Sequence, residues 1–529
     1  MTTNTAAIED VYVAPKVNPW IIGIVVSLAA FMEVLDSSIA NVALPHIAGD
    51  LGASNDESTW VLTSYLVSNA IVLPITGWLT QVFGRKRFFL LCIFLFTASS
   101  FLCGAAPSLG MLLLFRILQG AGGGGLQPMA QAILADTFPP RQRGLAFALY
   151  GITAVCAPAI GPTLGGWITD SYSWRWIFYI NVPVGLLALF LVHQLVDDPP
   201  IDASAVRGPL RFDYIGFSLL MIGIGALQVV LDKGQEDDWF GSHLITTLSI
   251  TAAVYLTALA IWEWFQKEPL IDVHLFRSFN FAASSVMFFV LGFVIFASTV
   301  VMPQMLQTLM GYTAQTAGMV LSGGSAFLLL ALPFVGRLTG KYPAKYLIAF
   351  GWLTLSIGMF ISAYQTDLLM SFGAFSRLRI YQSIPIAFLF VPITLVAYFG
   401  LPKEKSNAAA GIVNFMRNVG GSVGTSTVST MPARRSQFHQ AVLAEHTRSL
   451  RFSAATNALA RRLNNAGIGK VDAHANAVAR FSHLIQAQAA VLSYIDIYWI
   501  IALGTALMFF LSFFLKRNTP GAGGDIVVH

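Results

Sequence analysis

The stretch FMEVLDSSIANVALP, Phe31–Pro45, puts two carboxylates, Glu33 and Asp36, inside an apolar run that begins at Trp20. At ~100° per residue, Glu33, Asp36, Ser37 and Asn41 fall within an arc of about 140° of a helix. Phe31, Leu35, Ile39 and Val42 fill the opposite side. An acid at the centre of a membrane helix costs roughly 2.5–3.5 kcal/mol on insertion scales. Such a residue is kept where it faces an aqueous cavity, a proton path or an ion.

The rest of the chain has the composition of a membrane protein. Its 529 residues are 56% hydrophobic and only 11% charged, and the mean hydropathy is +0.68. Soluble domains carry about 25% charged residues. Low charge with recurrent apolar runs of ~20 residues predicts an all-α polytopic membrane protein. The net charge of +5 then reflects basic loops at one membrane face and points to no nucleic-acid partner. Cys92, Cys103 and Cys156 all lie in apolar spans, so neither a disulfide framework nor a metal site is implied. Residues 1–19 lack a signal-peptide layout, and the first span is expected to remain in the mature protein.

Fourteen spans are predicted, at 20–41, 58–81, 87–105, 109–133, 145–168, 176–195, 213–232, 243–265, 280–305, 314–337, 345–363, 380–400, 407–430 and 494–515. Basic residues set the orientation. With an inside N-terminus, more than half of the 31 Lys and Arg residues fall inside, among them Lys16, Arg85, Lys86, Arg87, Arg207, Arg211, Lys267, Lys403 and Arg517. Arg377 and Arg379 fall on an outer flank. Both termini are then cytoplasmic.

An internal repeat divides the chain. Gly77-Trp78-Leu79-Thr80 recurs as Gly336-Arg337-Leu338-Thr339, Arg116-x-x-Gln119 as Arg379-x-x-Gln382, and Gly165-Gly166 as Gly420-Gly421. The offset stays near about 260 residues. The expected organisation is a cytoplasmic segment 1–19, a six-helix bundle 20–200, two inserted spans 201–270, a second bundle 271–515 with an extracytoplasmic helical loop 431–492, and a tail 516–529. Transporters built from repeats hold substrate near the midplane between the halves.

Arg116 lies about 10 Å below the outer surface, at a depth similar to that of Asp36. Gln119, Gln127 and Gln131 share its face of span 4, with Gly120, Gly123 and Gly124 beside it. Two readings stand: a structural arginine bonded to backbone carbonyls, or a cation that tunes Asp36 or Glu33 for proton loading. Arg417 shares a face with Asn414 near the middle of span 13, with either a positioning or a structural role. In span 5, Pro158, Gly161, Pro162 and Gly165 allow kinking and close approach, which serves tight packing or a hinge. Gly84-Arg85-Lys86-Arg87 is a cationic turn that sets topology or serves a gate. Tyr65, Asn69, Gln304 and Gln307 are candidate cavity liners, as is Asn41.

The 431–492 loop is Ala-rich with apolar residues at helical spacing. It predicts two amphipathic helices broken at Asn464–Gly469, lying on the outer membrane surface or meeting a partner. His439, His446, His474 and His483 lack metal-site spacing. No phosphate loop, nucleophile elbow or zincin motif is present. The chain therefore reads as no enzyme, with no cofactor, driven by an ion gradient; a passive channel is the remaining alternative.

Taken together, these residues resemble the major facilitator superfamily, in its fourteen-span drug:proton antiporter branch of EmrB/QacA type. Leu35–Pro45 resembles that branch's span-1 signature, Arg116-Ile117-Leu118-Gln119-Gly120 its span-4 arginine motif, and Gly161–Gly166 its span-5 antiporter motif. Trp174–Gly185 resembles the opening of its span 6, and Asn414–Asn418 its span-13 segment. The resemblance implies proton-coupled export of amphipathic drugs or toxic compounds by alternating access from the bacterial inner membrane. It implies Asp36 as main proton carrier, Glu33 as a second acid and Arg116 as modulator. An exporter of one fatty acid, siderophore or metabolite is the alternative. The EmrB side of the branch works with a periplasmic adaptor and an outer-membrane channel, which makes 431–492 a docking candidate. Two departures stand out. Gln81 occupies a position where the branch usually has an acid, with Asp136 the candidate replacement. Glu33 occupies a position usually uncharged, which bears on proton stoichiometry or on cationic substrates.

Overall fold

The computed structural model describes residues 17–197, 212–266, 269–402, 405–446 and 450–516. Lys16, Arg207, Arg211, Lys267, Lys403 and Arg517, most of the 1–19 segment and nearly all of the 516–529 tail lie outside the described residues. Regular structure among the described residues is helical throughout. The first half contains α1 (Pro19–Leu51), α2 (Asn55–Phe83), α3 (Arg85–Gly104), α4 (Leu109–Thr137), α5 (Arg143–Ser171), α6 (Trp176–Tyr179) and α7 (Asn181–Leu195). Then follow α8 (Tyr214–Lys233), α9 (His243–Phe265), α10 (Phe279–Leu309), α11 (Ala314–Leu338), α12 (Ala344–Gln365), α13 (Phe372–Tyr398), α14 (Ser406–His446), α15 (Leu450–Asn465) and α16 (Lys470–Ser512).

Polar caps fix the helix starts within apolar sequence. The Asn18 side chain accepts from the Trp20 N–H, and Pro19 opens α1 with a φ suited to a first turn. Ser54 and Glu57 form a reciprocal capping box on α2. Gly84 joins α2 to α3 at φ +81°, a backbone region that side chains other than glycine enter at a cost.

Among the described residues, twelve helices are long and apolar enough to cross a membrane, or thirteen if the two segments of bent α5 form one span. α6 and α7 together make one of these. The remaining expected span, 407–430, lies in α14. Asn414, Arg417, Asn418, Ser422 and Thr425 make that helix too polar to qualify on apolarity. It packs against α2, α4, α10 and α16, so its polar face meets protein and not lipid.

The repeat read from short motifs reappears as helix pairing. α1 packs on α5, α2 on α4, α3 on α4 and α3 on α7; α10 packs on α14, α11 on α13, α12 on α13 and α12 on α16 in the same order. α8 and α9 pair with each other, and Leu220, Ile224 and Leu259 bury against Ile75 and Trp78 of α2. The equivalent glycines make equivalent contacts between the halves. A Cβ on Gly77 would come 2.6 Å from Ala408 Cα, and one on Gly336 would come 2.8 Å from the Gly144 carbonyl oxygen. These contacts join the halves at the membrane face where α1 begins and α16 ends, here termed the terminal face.

The helices of the 431–492 region are continuous with neighbouring spans, against expectation. α14 has 41 residues and α16 has 43. At 1.5 Å per residue each exceeds 60 Å, about twice the ~30 Å hydrocarbon core. The ends of the region are therefore continuations of two spans that project from the face opposite the terminal face, here termed the loop face, and α15 is the separate helix between them. Residues Lys470–Leu503 contain no Gly or Pro, so nothing breaks α16 where its apolar part begins. The expected break at Asn464–Gly469 is present, with Gly467 at φ +94°. Phe452 of α15 packs on Phe481 of α16, ring centroids 5.0 Å apart. Asp496 accepts from Arg435 Nε at 2.6 Å and pairs with His439 Nε2 at 2.8 Å, tying α14 to α16.

Candidate functional site

Asp36 and Arg116 form a buried ion pair. Arg116 Nη1 lies 2.6 Å from Asp36 Oδ2, and the two residues are 0% and 2% exposed. The remaining Asp36 oxygen accepts from Gln119 Nε2 at 2.9 Å and from Asn181 Nδ2 at 2.7 Å. Arg116 also donates from Nε to the Val61 carbonyl at 3.0 Å and from Nη1 to Gln119 Oε1 at 2.8 Å. Its guanidinium stacks on the Tyr65 ring, 4.2 Å to the centroid. The backbone-bonded arginine and the arginine paired with an acid are thus one residue. The pocket supplies only donors to Asp36, which suits an acceptor-only carboxylate.

Glu33 sits one turn away in a separate setting. Tyr65 Oη and Asn69 Nδ2 donate to its Oε1 at 3.0 and 3.1 Å, and Gln127 Nε2 donates to its Oε2. Gln127 Oε1 in turn accepts from Tyr150 Oη at 2.8 Å and from Arg417 Nη2. Arg116 therefore serves Asp36, while Glu33 reaches a cation of the other half through one carboxamide. Gln131 and Asn414 exchange hydrogen bonds beside this bridge, one of them 2.8 Å long. Asn418 Nδ2 donates to Asn69 Oδ1 at 3.5 Å. A polar seam thus joins α4 and α2 to α14 at mid-membrane. Gln127→Leu would take a partner from three buried groups, Glu33, Tyr150 and Arg417, each costing about 1–3 kcal/mol. It is expected to lower Tm and slow coupled efflux in proteoliposomes; unchanged efflux would reduce the bridge to packing.

The glycines of span 4 make this closeness possible. A Cβ at Gly120 would lie 2.4 Å from the Tyr65 carbonyl, and one at Gly123 2.7 Å from Tyr65 Oη. In α5, Gly161 abuts Ser38 Oγ, 2.3 Å from its ideal Cβ, and Gly165 abuts Ile39. Pro162 lacks the N–H that would bond the Pro158 carbonyl, and Ser38 Oγ donates to that carbonyl at 3.5 Å. Pro158, Gly161, Pro162 and Gly165 therefore fit α5 to the helix that holds both acids. At the α2–α3 turn, Arg85 Nη2 lies 2.6 Å from Asp136 Oδ2, so Asp136 provides the acid that Gln81 does not.

Some candidates fall elsewhere. Asn41 and Gln307 are exposed, and no hydrogen bond joins either to Glu33 or Asp36 among the described residues. Asn41 shares the helical arc of the acids, but it sits beyond the neighbouring helices that enclose them. Gln304 is partly buried, its Oε1 without a partner. Arg379 is a correction. α13 begins at Phe372, eight residues before the expected span, so this side chain is buried in the bundle and not on an outer flank. Asn181 and Tyr150 were missed as site residues. Asn181 carried a signal, since it is the one strongly polar side chain in the apolar run Trp176–Leu191. Tyr150 carried none, because an aromatic residue in a membrane helix is ordinary.

The profile described as the Major Facilitator Superfamily matches residues 26–425. The chain is 38% identical over 490 residues to the multidrug export protein EmrB of Haemophilus influenzae, covering 93% of this chain and 94% of that protein. It is 39% identical over 444 residues to the fatty acid resistance protein FarB of Neisseria gonorrhoeae, covering 83% and 86%. Its fold is similar to that of the proton:xylose symporter XylE, with TM-score 0.56 at 15% identity and coverage of 96% and 97%. Paired six-helix bundles, a buried span-4 arginine beside a span-1 acid and these matches agree: the chain belongs to the major facilitator superfamily, in its EmrB-like group of multi-pass membrane transporters.

Proposed function

We propose that this protein exports amphipathic, drug-like compounds in exchange for protons, by alternating access between its two halves. The observation that carries the reading is the buried Asp36–Arg116 pair. Burying two charges is expensive, and a buried pair seldom adds net stability. A carboxylate retained there, in an otherwise apolar helix, fits a group that takes up and releases a proton. Relatives named for multidrug export support the substrate class. The basic residues Arg85, Lys86, Arg87, Arg337, Lys341 and Lys345 cluster at the terminal face, which supports a reading with both termini in the cytoplasm and the spans in a bacterial inner membrane. The halves meet at that face through Gly77 with Ala408 and Gly336 with Gly144. In this reading Asp36 is the main proton carrier, Arg116 its modulator and Glu33 a second acid. No cofactor or catalytic residue takes part.

An expressing strain should survive higher concentrations of lipophilic toxicants, and a protonophore should abolish the gain. Survival that a protonophore leaves intact would exclude proton coupling. The fatty acid resistance relative favours a second reading, an exporter dedicated to one fatty acid. In that case resistance would extend to long-chain acids and not to cationic dyes.

The helical projection formed by α15 and the outer ends of α14 and α16 is proposed to dock a periplasmic adaptor that leads to an outer-membrane channel. Deleting 436–485 should abolish adaptor pull-down and leave proton-linked transport in vesicles; retained pull-down would refute it.

A further inference from the structure

The repeat sets Arg379 in the second half where Arg116 stands in the first. Each lies seven residues into its helix, about 10 Å below the loop face, and each is followed three residues later by a glutamine. Their surroundings differ in the groups that face the guanidinium. The position equivalent to Asp36 is occupied by hydroxyls: Arg379 Nη1 donates to Ser298 Oγ at 3.1 Å and Nη2 to Thr299 Oγ1 at 3.4 Å. No carboxylate pairs with Arg379 among the described residues, whereas Arg116 has one at 2.6 Å. Arg379 is 7% exposed, and its Nε has no acceptor. Gln382 donates to Ser362 Oγ at 2.9 Å, and its own Oε1 is unpaired. Gln119, by contrast, bridges its arginine to its acid. The other buried cations of the two bundles each reach a carboxylate: Arg116 meets Asp36, and Arg417 reaches Glu33 through Gln127. Arg379 is the cation left over, and a buried guanidinium without a counter-charge is costly.

We infer that Arg379, with Ser298 and Thr299, binds the carboxylate of an anionic amphipathic substrate, which takes the place of the acid this half lacks. A guanidinium binds a carboxylate by donating two parallel bonds, and the adjacent hydroxyls, which donate to the Ile295 carbonyl here, can rotate to donate to the same group. This inference rests on the exporter reading and names one class of its substrates. It gives the two halves different tasks: the first holds an acid of its own for protons, and the second takes its acid from the cargo.

The test uses two radiolabelled ligands with one ring system, 2-naphthylacetate and 2-naphthylethylammonium. Equilibrium binding to the purified full chain is measured by scintillation proximity. Wild type is expected to bind the carboxylate. Arg379→Gln should weaken that binding about tenfold or more and leave ammonium binding nearly unchanged. Ser298→Asp, which restores the pair found in the first half, should do the same by occupying the arginine. Arg379→Lys should retain part of the affinity. Equal loss of both ligands in both variants, or no loss of the carboxylate in either, would overturn the inference. A wild type that binds the ammonium ligand and not the carboxylate would overturn it and leave the exporter reading standing. A wild type that binds neither would count against both.

Discussion

Asp36→Asn should stop pH-gradient-driven efflux in proteoliposomes while the protein still inserts in the membrane. The substitution keeps the shape of the side chain and removes its charge and its proton. It also leaves Arg116 buried without a counter-charge, and breaking one side of a buried pair costs about 3–5 kcal/mol. Loss of transport by Asp36→Asn alone would therefore be ambiguous between a lost carrier and a damaged fold. Asp36→Asn with Arg116→Gln resolves it. Removing both partners is far milder than removing one, so the double variant should regain most of the lost Tm. If Asp36 carries the proton, the double variant stays inactive. If the pair is only structural, transport returns along with stability.

Gly144→Val should have an effect of similar size through the closed face. A Cβ at Gly144 would meet Thr339 Oγ1 and lie 2.6 Å from the Gly336 carbonyl oxygen. The second contact is backbone, so rotating a side chain cannot relieve it, and α5 and α11 have to separate. The two halves meet through few other helices, α14 with α2 and α4 and α13 with α5. The variant should shift the population toward a state open at the terminal face. Spin labels at exposed Val82 and Lys341, in a background without the native cysteines, should report a longer mean distance. Coupled efflux should fall about tenfold or more, as for a shift of 1.4 kcal/mol or above in a two-state balance. Gly144→Ala should do less in both measurements. An unchanged distance distribution with normal efflux would show that this contact does not hold the face shut.

Why were some of these features readable from the chain and others not? Glu33, Asp36 and Arg116 declared themselves because charge in an apolar helix is costly, and their matching depth followed from helical rise alone. Which acid the arginine serves did not follow. Asp36 and Glu33 are one turn apart, and the choice depends on how α4 packs, through glycines whose neighbours are set by tertiary structure. Asn181 reaches Asp36 from α7, a helix far along the chain, and only folding brings the two together. The repeat was legible in three short matches, and the helix pairings of α1–α7 and of α10–α16 follow one order. Its most useful content lay in the difference between the halves. Arg379 looked like a flanking charge because the polar residues Ser371–Arg379 read as loop, yet Ser371 caps a helix that begins there, its Oγ accepting from the Ala374 N–H. The continuity of α16 was legible as well, in the absence of Gly and Pro over Lys470–Leu503. An amphipathic pattern alone says nothing of direction, so surface-lying and projecting helices look alike until their join to a span is seen.

The central claim is that substrate leaves in exchange for a proton held at Asp36. The most direct measurement is proton movement itself. Purified protein is reconstituted into vesicles loaded with a pH-sensitive dye, and a transported compound is added with no imposed gradient. Wild type should show a substrate-evoked pH change with the sign of antiport, and the Asp36→Asn, Arg116→Gln variant should show none. Transport of the compound by wild type with no accompanying proton flux, or an undiminished flux in the double variant, would contradict the account.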